Sequence, residues 1–411
     1  MTSRRTFLSA VGATAATVAG PRFANAQGAR KLALYANIGP VLTHYDVDVE
    51  NAALTARDSV TTPGGIVQYC WPHRNRRYFY AASSSNVPGA TDHSVTAYKI
   101  GPTGTLTQIG DSIRLPARPI HMSLDKESQH ILVAFNIPSS LRVYRINKDF
   151  TPGEEVAQGA MDCGIYAHQV RTTPDGKHVV LVARGNEGTA QKPEDPGALM
   201  VWDYKDGVLS NQYKIAPNGG HGYGPRHLDF HPTNPWMYLS IETQNRMHMH
   251  RMQGGKPLPE VVFNKTTLLE PNNIRSRQAA STVHVHPNGR FLYGANRSQD
   301  VVDFNGRRVY KGGENSIVVY TLNPRTGEPT AIQHIETQKL HPRTFHIDPG
   351  GRVLVAQHNL PVDVREGDAV RKVKAGLSVF CMAPDGKLNF VRTYEFDVGN
   401  TISWWMGMVA L

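Results

Sequence analysis

The sequence reads as an all-β protein, a seven-bladed β-propeller built of four-stranded antiparallel blades. Three features lead there. A short apolar strand ending in a small or polar residue recurs seven times, as Leu34-Tyr35-Ala36-Asn37, Phe79-Tyr80-Ala81-Ala82, Leu132-Val133-Ala134-Phe135, Leu181-Val182-Ala183-Arg184, Met237-Tyr238-Leu239-Ser240, Leu292-Tyr293-Gly294-Ala295 and Leu354-Val355-Ala356-Gln357. Anchored at the second residue, the copies are spaced 45, 53, 49, 56, 55 and 62 residues apart, the size of one propeller blade with variable loops. No stretch holds an apolar 3.6-residue period long enough for a core helix.

The first element of the chain is a targeting segment. Arg4 and Arg5 form a twin arginine, Phe7 to Gly20 is a mild apolar run, and Ala24-Asn25-Ala26 supplies small residues for a signal peptidase. Fourteen residues are too few to cross a hydrocarbon core of roughly 30 Å, so no stable membrane anchor is expected. Residues 1–26 are therefore expected to be a twin-arginine signal, cleaved after Ala26 by a cell that exports the folded chain to its periplasm. The twin-arginine export machinery is then a partner. Residues 27–411 form the propeller.

Composition narrows the function. The 411 residues carry 44 Lys and Arg against 34 Asp and Glu, and 40% are hydrophobic, as expected of a globular protein. Removing Arg4, Arg5 and Arg22 with the signal leaves 41 basic and 34 acidic residues. No Lys/Arg run exceeds three and none adjoins an aromatic array, so nucleic acid is not an expected partner. Cys70, Cys163 and Cys381 stand far apart without a CxxC pair, which excludes a disulfide scaffold and a cysteine metal site and favours three buried thiols.

The sixth unit shows the internal order best. His284-Val285-His286 is a short first strand, Pro287-Asn288-Gly289-Arg290 a turn, and Phe291–Ala295 the second strand. Ser316–Leu322 alternates at period two as the third strand. Asn323-Pro324-Arg325-Thr326-Gly327 turns again before a fourth strand over Thr330–Ile335. Long insertions, at Gly185–Gly197, Ser298–Glu314 and Asn359–Ala375, all fall between second and third strands. Ser403–Val409 has strand composition and is expected to close the ring against the first unit.

In such a blade the start of the first strand and the end of the second share one face of the ring. Polar residues collect at those positions: His168 opens unit four, Arg226 and His227 open unit five, Glu242 ends the second strand of unit five, His284 lies in the first strand of unit six, Arg297 follows its second strand, and Arg343 opens unit seven. The mouth of the central channel is thus the expected ligand site.

Gly224-Pro225-Arg226-His227-Leu228-Asp229-Phe230-His231-Pro232 with Tyr238 and Glu242 resembles the 6-phosphogluconolactonase-type seven-bladed propeller lactonases. So do Val283–Tyr293 with Asn296-Arg297, and Pro342-Arg343-Thr344-Phe345 with Asp348-Pro349. A sister branch, the carboxymuconate lactonizing enzymes, uses a His, Arg, Glu and Arg set, which the resemblance carries to His168, Arg226, Glu242 and Arg297. His227, His284 and Arg343 are then substrate-binding. The pattern is broken at Thr282, where the family has an acidic residue, and at Ile241, where it has Asn.

The resemblance implies lactone hydrolysis without metal or other cofactor. His168 or Glu242 would activate water, while Arg226, Arg297 and Arg343 would hold an anion and a developing oxyanion. The expected substrate is a sugar or organic-acid lactone, not a phosphorylated one, because an exported enzyme does not meet cytoplasmic sugar phosphates. A cycloisomerase acting on carboxylate substrates suits the same set, and a non-enzymatic binding module is the alternative of another class. The pairs His248/His250 and His284/His286 have the spacing of strand-borne metal ligands, but no carboxylate accompanies them at suitable spacing.

Overall fold

Seven antiparallel sheets, six of four strands and one, blade five, with a short fifth strand, are arranged as blades of a propeller and account for nearly all regular structure in the computed structural model, which describes residues 31–85 and 91–411. The signal segment expected at 1–26 lies outside the described residues. Among the described residues the sole helical piece is a 3₁₀ turn at Pro217–Gly220.

Every second strand is the one the repeat marks: Leu32–Ile38, Tyr78–Ser84, His130–Asn136, His178–Ala183, Trp236–Ile241, Phe291–Arg297 and Val353–His358. These strands are buried on both faces, between their own sheet neighbours and the adjoining blades, which is why they read as continuous apolar runs. The tyrosine of the repeat has a definite task. Tyr80, Tyr238 and Tyr293 donate their hydroxyls to the carbonyls of Phe150, Gly327 and Gly386, at 2.7–2.9 Å. Tyr35 does the same to Gly104. Each acceptor lies in the turn between the third and fourth strands of the next blade, so one such hydrogen bond staples each of these four pairs of blades. Gly327 and Gly386 adopt positive φ (77° and 85°), and a Cβ on either would strike an aromatic ring of the preceding blade.

Closure is as expected, with the strand itself at Met406–Ala410. It is the innermost strand of blade one and pairs antiparallel with Leu32–Ala36. The residues before it are held by Asn37, which is wholly buried: its Oδ1 accepts the N–H groups of Trp404 and Trp405 at 2.9 and 2.8 Å, and its carbonyl accepts the Ser403 hydroxyl at 2.5 Å.

The inner strands of the other six blades share one irregularity. At each start, one blade residue is extra against its partner strand: Gln68, Ile120, His168, Arg226, the Ser281-Thr282 step, and Arg343. A β-bulge re-aims side chains, and here it does so at the mouth of the channel.

Blade six corrects one expectation. Its inner strand is Ala279–Val285, five residues earlier than His284 implied. His284 is consequently near the strand's far end, partly exposed, while the ring-mouth position belongs to Ser281 and Thr282. Those two hydroxyls donate to the Arg343 carbonyl at 2.7 and 3.2 Å and join blades six and seven, which gives the unusual Thr282 a role. Two of the insertions form hairpins, Val301–Phe304 with Arg307–Tyr310 and Val362–Glu366 with Ala369–Val373. They dock through an Arg307–Asp363 hydrogen bond of 2.6 Å and Arg365 stacked 4.0 Å over Phe304. Cys70 and Cys163 are buried thiols; Cys381 is only half-buried, and all three are free.

Asn37→Ala removes the acceptor of two backbone donors at the closure and should cost roughly 2–4 kcal/mol. A fall in the urea midpoint with an unchanged slope is the expected result; an unchanged midpoint would show that closure does not depend on this side chain.

Candidate active site

Glu242 follows the second strand of blade five. Its N–H donates to the Gly224 carbonyl at 2.8 Å, and its own carbonyl accepts from Ala280 of blade six at 3.1 Å, so the backbone beneath the carboxylate is fixed from both sides. Gly224 adopts φ +52°, and a Cβ there would collide with Thr243, which explains the glycine ahead of Pro225-Arg226.

Three arginines from three blades converge on this carboxylate. Arg184 of blade four donates Nη1 to Oε1 at 3.1 Å. Arg226 of blade five places Nε 2.7 Å from Oε2, and Arg297 of blade six places Nη2 3.1 Å from the same oxygen. Burial alone would raise the Glu242 pKa, but Arg297, Arg226, Arg184 and Arg343 outweigh it and pull the value down to about 2. Burial, then the neighbouring charge of Arg297, lowers the Arg226 guanidinium to about 9, so it stays protonated at neutral pH.

A cleft of about 520 Å³ opens above this cluster. Arg184, Glu242, Arg297 and Arg343 line it, with His341, Asn359 and Trp404. Arg343 stacks 4.0 Å over the Trp404 ring, which orients its fork without consuming its donors. Arg226 does not reach the wall; it is fully buried below, against Glu242. Arg226 Nη1 and Arg297 Nε are buried donors with no hydrogen-bond partner.

His168 lies within the field of these charges but not on the cleft wall. Burial, then the charges of Arg226, Arg184, Arg343 and Arg297, hold its pKa well below the ordinary 6.5. Its ring is 5.2 Å from that of His227. His227 and His284 line a separate channel cavity of about 200 Å³, with Tyr69, Trp71, Phe345 and Trp405. His284 contacts Asp229 at 3.4 Å, and Arg171 contacts the other oxygen of Asp229 at 3.5 Å. The structure thus brings Arg226, Glu242, Arg297 and Arg343 together with His168 near, and leaves His227 and His284 in the separate cavity.

One histidine of each pair weighed as metal ligands is engaged elsewhere. His286 donates Nε2 to the Gly351 carbonyl at 3.0 Å and accepts the Asn288 N–H on Nδ1, which uses both nitrogens. His250 donates Nδ1 to the Leu258 carbonyl at 2.9 Å. Among the described residues no three His, Cys, Asp or Glu side chains converge as a metal centre requires.

Arg184, His341 and Asn359 were not among the sequence candidates. Arg184 carried a signal all the same: it ends the second strand of blade four, at the position class that singled out Glu242. Asn359 carried one too, because it directly follows the second strand of blade seven as Glu242 follows that of blade five; His341 lies in no strand and carried none.

The family description "Lactonase, 7-bladed beta-propeller" matches residues 33–362. The chain belongs to this family. The lactonase is 25% identical over 325 residues to a 6-phosphogluconolactonase of Bacillus subtilis (strain 168), covering 76% of this chain and 83% of that protein. It is 27% identical over 281 residues to a 6-phosphogluconolactonase of Cronobacter sakazakii, covering 67% and 74%. Its fold matches a Pseudomonas aeruginosa protein described as a periplasmic gluconolactonase, with TM-score 0.68, 19% identity, and coverage of 93% of this chain and 99% of that one. The protein is therefore an enzyme of the lactonase class, and the seven-bladed architecture expected from the repeat is that of its family.

Acid should unmake this site in a defined window. The folded pKa of Glu242 lies below its ordinary 4.5, so its contribution is present above about 4.5 and lost as pH falls toward about 2. The shift corresponds to roughly 3 kcal/mol. Glu242→Gln should cost roughly 3–5 kcal/mol at pH 7, because it strands buried guanidiniums, and should flatten the stability profile between pH 4.5 and 2. Denaturation midpoints of both proteins across that range test this; parallel profiles would show that Glu242 is not the titrating group.

Proposed function

We propose that this lactonase hydrolyses a non-phosphorylated sugar or organic-acid lactone in the cleft over Glu242. The observation that carries the reading is the set of unpaired buried guanidinium donors, on Arg226 and Arg297, beside a cleft walled by further arginines. Four guanidiniums face one carboxylate there, an excess that an oxyanion or substrate carboxylate would balance. Arg297 and Arg343 are the groups placed to stabilise the tetrahedral oxyanion, and Arg184 to hold the ligand's far side. Arg226 acts from below, by fixing Glu242. The clamp on Glu242 weakens it both as a base for water and as the proton shuttle that a cycloisomerase needs, which favours hydrolysis over lactonization.

Export supports the choice of substrate. Arg4-Arg5, the Phe7–Gly20 run and Ala24-Asn25-Ala26 make residues 1–26 a twin-arginine signal in this reading, cleaved after Ala26, with the propeller working in the periplasm on lactones without phosphate. The periplasmic description of the Pseudomonas aeruginosa neighbour agrees with it. Replacing Arg4 and Arg5 by Lys should retain the protein inside the cell, checked by fractionation; undiminished export would refute the assignment.

Purified mature protein should release protons from glucono-lactones and leave muconates unchanged. Arg297→Ala should lower kcat by roughly 10²–10³, as removal of an oxyanion donor does, and Arg297→Lys should restore little, because one ammonium lacks the bidentate fork. A rise in KM with unchanged kcat would instead make Arg297 a ground-state binding group.

A further inference from the structure

Lactone hydrolysis requires a group that takes a proton from water at the carbonyl carbon. Neither sequence candidate is free to do so: both oxygens of Glu242 are engaged by arginines, and His168 is off the cleft wall. We infer that His341 is the general base of this lactonase, and that Asn359 is the residue that positions it. The inference rests on the reading of the cleft as the hydrolytic site.

Both residues line the cleft together with Arg297 and Arg343. His341 Nδ1 lies 2.7 Å from Asn359 Oδ1. An amide oxygen only accepts, so the proton of the neutral imidazole sits on Nδ1 and the lone pair on Nε2. This is the tautomer a base needs, held by a third group in the manner of a catalytic triad. The backbone is fixed as firmly. His341 N–H donates to Asn315 Oδ1 at 2.7 Å, and the same oxygen accepts Ser298 N–H at 3.0 Å. Asn315 is tied in turn to the Tyr310 hydroxyl at 2.7 Å. His341 itself takes φ +55°, a left-handed conformation that a non-glycine residue keeps only where its surroundings impose it, and such residues cluster at working sites.

The electrostatics suit the step. Burial, then Arg297 and Arg343, keep His341 neutral at physiological pH. As water attacks, negative charge develops on the carbonyl oxygen beside those same two guanidiniums. That charge offsets their repulsion of an imidazolium at the moment His341 becomes one. The water oxygen bonds to the carbonyl carbon and its proton passes to Nε2. The oxyanion then collapses, the ring C–O bond breaks, and the departing alkoxide takes the proton back from Nε2. The product hydroxy acid ionises to its carboxylate, and the proton goes to solvent.

The test uses the purified mature protein with glucono-δ-lactone and a pH indicator, below pH 7 where the spontaneous reaction is slow. His341→Ala and His341→Gln should each lower kcat by roughly 10²–10⁴ with KM little changed. Asn359→Ala should lower kcat by about tenfold. Asn359→Asp should keep the hydrogen bond, raise the imidazole pKa, and move the acid limb of the kcat/KM profile to higher pH, a displacement that loss of structure would not produce. Gluconate binding by the His341 variants, measured by calorimetry, should match wild type and so show an intact cleft. Wild-type kcat in His341→Ala, or an Asn359→Asp profile superimposed on wild type, would overturn the inference while leaving the lactonase reading in place. Failure of the wild-type protein to hydrolyse any lactone would overturn both.

Discussion

One carboxylate holds the working end of this propeller together. Glu242 meets guanidiniums from blades four, five and six, and its backbone is bonded to both flanking segments. Four arginines crowded on one face would repel each other and the histidines around them; a single buried anion makes their proximity tolerable. A carboxylate held at a pKa of about 2 organises cations well and accepts protons badly, which in the proposed reaction leaves the proton transfers to another residue.

The fold was legible because the repeat coincides with a physical requirement. Second strands are buried on both faces and are apolar through their middles, and the tyrosine of four copies must reach the next blade's turn. A pattern so constrained survives in composition alone. The mouth of the channel was legible in part for the same reason: an end-of-strand position in a known topology predicts a face, and Arg226, Glu242, Arg297 and Arg343 meet there. Arg184 satisfied that rule as well and went unselected among apolar neighbours.

The misses have physical causes. His284 was placed at the ring mouth because Ala279–Thr282, small and weakly patterned, gave no sign of being strand. The bulge at Ser281-Thr282 then breaks the period-two count that would have corrected it. His341 sits in a linker, in a left-handed conformation, with its partner eighteen residues away at the base of an insertion. Nothing local marks His341, although Asn359 directly follows the second strand of blade seven as Glu242 follows that of blade five. The insertions were recognisable as insertions, but the hairpins in them, and the Arg307–Asp363 and Arg365–Phe304 contacts that join them, depend on two segments meeting over blades six and seven.

The closing strand sets a timetable. Asn37 and Trp405 are 368 positions apart, and the inner edge of Leu32–Ile38 has no partner until Met406–Ala410 exists. At roughly 5–20 residues per second of synthesis, that apolar edge waits on the order of 20–70 s, a period in which it is open to pairing with any other exposed strand. The ring cannot be assembled blade by blade into a finished object as it emerges. Six blades can form early, but the seventh is completed only once Met406–Ala410 has been made. Until then the ring is a propeller with a gap in it.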